Sequence, residues 1–94
     1  MKLAAVQYRP PHGRPDRARR ELARRVRAAI DAGARLVVLP EMATTGYVWP
    51  DAAALRPHAE PARGPTFEAL RAEARTGGGA WVVCGFAEQA DDGA

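Results

Sequence analysis

Staples of any covalent or metal kind are scarce in this sequence. One cysteine, Cys84, excludes an internal disulfide and a cysteine-based zinc site. Lysine is equally rare: Lys2 stands alone, and arginine supplies the other 13 of the 14 cations. No apolar run approaches the roughly 20 residues a membrane span requires, so no membrane partner is expected. The apolar run after Met1-Lys2 is too short for a secretory core and has no evident processing site, which makes the cytoplasm the expected compartment. Ninety-four residues give one small domain at most, and a large enzyme does not fit within them.

What is present is globular in character, 47% hydrophobic and 27% charged. The net charge of +3 is unevenly spread. Eight arginines face only Asp16 and Glu21 between Arg9 and Arg27, whereas five arginines face nine acids from Ala28 onward. Beyond Tyr8 no aromatic interleaves the arginines, so the basic stretch reads as a solvated helix and no nucleic-acid partner is expected.

Residues 2–7, "KLAAVQ", read as a strand, and the prolines and glycine of "YRPPHGRP" forbid regular structure after it. With Asp16 as N-cap, Ala18, Leu22, Val26, Ala29, Ile30 and Gly33 recur at helical steps opposite Arg20, Arg24, Arg27 and Asp31. Gly33 stops that helix, and "RLVVLP" is continuous enough in its hydrophobicity for a buried parallel strand. Residues 51–64 form a long loop holding one helical turn but little more. A second helix opens at Pro65 or Thr66, buries Phe67, Leu70 and Ala74, and ends at Gly77-Gly78-Gly79 before a third buried strand, "AWVVCGF". Three strands and two helices in this order are an α/β arrangement with parallel strands and helical crossovers.

In such sheets the ligand crevice lies outside the carboxyl ends of the strands. Glu41 falls at one such end, directly after Pro40, whose ring holds the preceding backbone extended. Its neighbours Met42, Ala43, Val48 and Trp49 are apolar, so partial desolvation is expected to tune it for proton transfer; the alternative reading is a carboxylate that caps a turn or faces water. Cys84 lies inside "WVVCGF" and reads as an apolar filler with a raised thiol pKa. His12 and His58 read as exposed loop residues, Thr44 and Thr45 as turn formers, and Trp49 as packing. The "TGGGA" run precedes a strand and has no lysine, so it is not a phosphate loop.

The ordered segments "KLAAVQ", "AAIDAGARLVVLPEMATTGY" and "WVVCGFAE" resemble the amino-terminal part of the carbon-nitrogen hydrolase superfamily, the nitrilases and aliphatic amidases. The most specific element is Gly-Ala-x-Leu-Val-Val-x-Pro-Glu followed by Gly46-Tyr47; Gln7, Gly85 and Glu88 also fall where the family has them. The resemblance implies an α-β-β-α sandwich, of which residues 1–94 would carry the first three strands and two helices. It implies hydrolysis of amides, carbamoyl groups or nitriles by a Glu-Lys-Cys triad, with Glu41 as the triad glutamate. Tyr47 follows that acid closely enough in sequence to be a candidate substrate-binding residue, with packing beside the buried strand as the alternative. The resemblance also implies a small-molecule amide or nitrile substrate, no metal or organic cofactor, and a homo-oligomer when intact.

One departure limits that inference. The family's lysine and cysteine lie beyond the third strand, and this sequence reaches "EQADDGA" without them. Lys2 starts the first strand, at the wrong end of the sheet. Residues 1–94 are therefore expected to be an incomplete hydrolase domain, inactive and only partly folded by themselves, with an unpaired edge and an uncovered sheet face. The other reading from sequence is a non-catalytic binding module that presents the arginine-rich first helix to an acidic partner.

Overall fold

The computed structural model describes residues 1–46, 49–76 and 79–90. Three parallel strands, β1 (Lys2–Ala5), β2 (Ala34–Val38) and β3 (Trp81–Val83), form one sheet in the order β1-β2-β3. Between them run α1 (Pro15–Asp31), the short α2 (Ala52–Leu55) with a 3-10 turn at Arg56–His58, and α3 (Pro65–Ala74). Leu3, Leu36 and Trp81 stand side by side across the strands, as do Ala4, Val37 and Val82, which fixes the register.

Both long helices lie on the Val37 face. Ala18, Leu22, Val26 and Ile30 recur every fourth residue of α1 and are buried, meeting Leu70 of α3 and Ala34, Val37 and Leu39 of the central strand region. Each large apolar side chain so buried contributes roughly 1.5–3 kcal/mol. Leu22, Val26, Ile30, Ala34, Val37, Leu39, Ala43 and Leu70 make up the buried core cluster among the described residues. Arg14 is the N-cap of α1 and Pro15 its first residue, because a proline needs no N–H there; Asp16 sits in the first turn and pairs with Arg19 instead of capping. At the other end Gly33 takes φ +102°, and its N–H bonds to Ile30 O at 2.9 Å.

Three sequence expectations need correction. The count of two helices becomes three, because the one turn allowed for in the loop after Asp51 is a helix of its own: the Asp51 carboxylate accepts from the Ala54 N–H at 2.9 Å and nucleates α2. Helix α3 ends at Ala74, before the glycine run, of which Gly77 and Gly78 lie outside the described residues. The strands are covered on one face only: Trp81 is 78% exposed, Leu3 62%, Val83 54% and Val38 41%. Both helical crossovers fall on the same side, so the second and third strands are not buried on both faces as their hydrophobicity suggests, and the sheet shows the uncovered face expected of residues 1–94. Among the described residues, no helix is long and apolar enough to cross a membrane.

Candidate functional site

The backbone beyond the strands remains paired at the carboxyl end of the sheet. Leu39 N–H bonds to Val83 O at 2.8 Å and Ala43 N–H to Gly85 O at 2.9 Å, so the turn carrying Glu41 is stitched to the end of β3. A Cβ on Gly85 would stand 3.0 Å from Glu41 Cα and 3.2 Å from Met42 N. No larger residue fits there without displacing the Glu41 backbone, which gives a physical reason for glycine at that position. Met42, the next residue, holds φ +47°, a left-handed conformation that costs a non-glycine residue roughly 1–2 kcal/mol. The Gly46 N–H donates to Met42 O at 2.9 Å and closes this turn.

Other loops brace the same turn. The Tyr8 hydroxyl donates to Ala43 O at 3.2 Å, and the Gly13 N–H to Thr45 O at 3.2 Å. Burial, reinforced by the charge of Glu21 and opposed by Arg25, pushes the Tyr8 phenol up, so it remains a neutral donor at physiological pH. Trp49 stacks on His12 with ring centroids 4.2 Å apart and meets His58 at 5.1 Å, while its indole N–H donates to Gly46 O at 2.8 Å. Trp49 thus packs, as its sequence context suggests, but the two histidines are clamps on it and His58 is half-buried. Thr45 Oγ1 makes the expected turn bond, to Gly46 O at 3.2 Å; Thr44 is fully buried and its hydroxyl finds no partner among the described residues.

Glu41 itself is exposed, so within residues 1–94 the neighbouring apolar residues do not desolvate it as expected. Of those neighbours Ala43 is wholly buried, Met42 and Trp49 are half-buried, and Val48 lies outside the described residues. The carboxylate borders a concavity of about 580 Å³ lined by Gln7, Tyr8, Arg9, Pro10 and Pro40. Tyr47 lies outside the described residues. Lys2 is at the far end of the sheet, where its Nζ donates to Ala32 O at 2.7 Å beside the end of α1. No group of three or more metal-ligating side chains occurs among the described residues.

Cys84 lines an apolar groove with Phe67, Leu70, Val82 and Phe86. Burial, with a contribution from the Glu60 charge, pushes its thiol up to about 11. At pH 7.5 the thiolate fraction is then roughly two orders of magnitude below that of a free cysteine. Iodoacetamide should label folded protein correspondingly slowly, with a rate rising about tenfold per pH unit up to the region of that pKa. Rapid labelling at neutral pH would show a nucleophilic cysteine.

A parallel layer with its helices on one face, and a carboxylate held at a strand's carboxyl end by three converging loops, is the frame of an α/β enzyme domain. The family model for carbon-nitrogen hydrolase matches residues 2–94, and the chain belongs to that family of hydrolases. No curated protein matches the chain.

Proposed function

We propose that Glu41 is the proton-transferring carboxylate of a Glu-Lys-Cys triad in an enzyme that hydrolyses non-peptide carbon-nitrogen bonds, with an amide as the default substrate. The observation that carries this reading is the Glu41 turn, held at the carboxyl end of β2 by the Gly85 contact and the Tyr8 hydroxyl. Glu41 would take the thiol proton as the sulfur attacks the carbonyl carbon, while the lysine ammonium stabilises the oxyanion. It would return that proton to the departing ammonia, leaving a thioester. Water would then add with Glu41 again accepting a proton, releasing the acid and restoring the thiol.

Lys2 and Cys84 do not serve as the partners, the first by its place at the opposite end of the sheet and the second by its apolar groove and raised pKa. The lysine and cysteine of the triad belong to a part of the intact protein outside residues 1–94, and this segment alone is inactive. The exposed row of Leu3, Val38, Trp81 and Val83 supports the sandwich reading, in which a second sheet covers that face. A homo-oligomer of the intact enzyme is part of the same proposal. The test is ammonia release from a panel of amides, carbamoyl compounds and nitriles. Turnover by the intact protein and none by residues 1–94 is expected; turnover by residues 1–94, or no hydrolysis of any of the panel by the intact protein, would overturn the reading.

A further inference from the structure

The arginines of residues 9–27 divide into two sets. Arg19 pairs with Asp16 and Glu60, Arg24 and Arg25 share Glu21, and Arg27 pairs with Asp31 and Glu73. Hydrogen bonds from Arg24 and Arg25 hold the Glu21 carboxyl below its usual range, so it stays ionised and absorbed by those two partners. The side chains of Arg9, Arg14, Arg17 and Arg20 have no hydrogen-bond or ion-pair partner among the described residues, and three of the four, Arg9, Arg17 and Arg20, line one concavity.

That concavity measures about 650 Å³ and is walled by the Tyr8–Pro11 segment on one side and the first half of α1 on the other. The size is that of a small-molecule site. The prolines stiffen one wall and the helix the other, so the guanidinium groups are presented from rigid elements. Arg17, Arg20 and Arg24 follow at helical three- and four-residue steps and share a side of α1. Four arginines against the single, already engaged Glu21 leave a concentrated positive field whose mutual repulsion an anion relieves.

We propose that this concavity binds a compact multivalent anion, a small molecule bearing phosphate groups. Guanidinium forks match phosphate oxygens in pairs. An extended nucleic acid fits less well, because it needs a continuous basic track, and pairing of Arg19, Arg25 and Arg27 with acids interrupts the track along α1. The pocket shares Tyr8, Arg9 and Pro10 with the concavity at Glu41, so a bound anion lies beside that carboxylate. The proposal does not depend on Glu41 being catalytic.

Calorimetric titration of the intact protein with inorganic pyrophosphate tests it. One saturable site is expected, with affinity falling as sodium chloride is raised. The Arg17→Gln/Arg20→Gln double variant should bind at least tenfold more weakly. Arg56→Gln/Arg75→Gln, which removes the same charge away from the pocket, should change affinity less than twofold. All four side chains are exposed, so circular dichroism should be unchanged in both variants. Absence of saturation, equal losses in the two double variants, or a single-stranded oligonucleotide that binds several-fold more tightly than pyrophosphate would each overturn the proposal, the last in favour of a nucleic-acid surface.

Discussion

Glu41→Gln in the intact hydrolase should lower kcat/KM for ammonia release by about 10²–10⁴-fold, the range a positioned general base contributes, while leaving the folded state almost untouched. The two effects separate because of where the residue sits. Its side chain is exposed, so glutamine of nearly the same shape should change stability by no more than about 0.5 kcal/mol. Its backbone is the opposite case, clamped between the Gly85 carbonyl bond to Ala43 and the close approach of Gly85 to Glu41 Cα. In the role proposed for Glu41, placement would be a property of the main chain and its neighbours, whereas proton transfer would be a property of the carboxylate alone. Steady-state kinetics beside a urea melt would read both. Activity retained within fivefold would remove Glu41 from the chemistry, and a loss accompanied by a large fall in stability would make it structural.

The parts of this arrangement that were legible in the sequence are those fixed locally. The four-residue recurrence of Ala18, Leu22, Val26 and Ile30 marks α1, and Pro40-Glu41 after a run of β-formers marks a strand end with an acid on it. Features set by contacts between distant segments were not legible. Gly85 stands out in the sequence only through the family resemblance; the reason for it, the Glu41 Cα 3.0 Å from where a Cβ would stand, belongs to the fold. The apolar environment expected around Glu41 does not enclose its carboxylate, because the turn that follows puts Ala43 inward and leaves the acid outside. Glu60 does not stand out in the sequence, since its partners lie 6, 27 and 41 residues away. The one available signal was an acid shortly before Gly64-Pro65-Thr66, a helix start whose N-cap residue has no side chain of its own.

Glu60→Ala should be the most destabilising polar substitution in the described structure, at about 3 kcal/mol. The carboxylate is only 7% exposed and accepts from the Thr66 N–H at 2.7 Å, from Thr66 Oγ1 at 2.8 Å and from Arg19 Nη2 at 3.4 Å. It thereby caps α3, whose N-cap Gly64 offers nothing, and places a negative charge at the positive end of that helix. The same residue's backbone bonds to Ala87 O at 3.0 Å and accepts from the Gln89 N–H at 2.8 Å, so one position ties α1, α3 and the segment after β3 together. Removing the acid leaves the Thr66 N–H without its partner and a largely enclosed Arg19 with the exposed Asp16 as its one charged partner and the Thr66 hydroxyl as its other acceptor. Breaking a buried pair from one side costs about 3–5 kcal/mol, and the 18% exposure of Arg19 puts this case at the lower end. Glu60→Gln keeps an acceptor for the Thr66 N–H and loses the charge, so it should cost less, about 1.5 kcal/mol. Asp16→Ala removes the outer arm of the same network, where the carboxylate is 83% exposed, and should cost under about 1 kcal/mol. Urea unfolding of the three variants should therefore rank them in that order. If Glu60→Ala falls within 1 kcal/mol of the parent, the three-way junction is not what holds α3 to the sheet, and packing of Leu70 alone must do so.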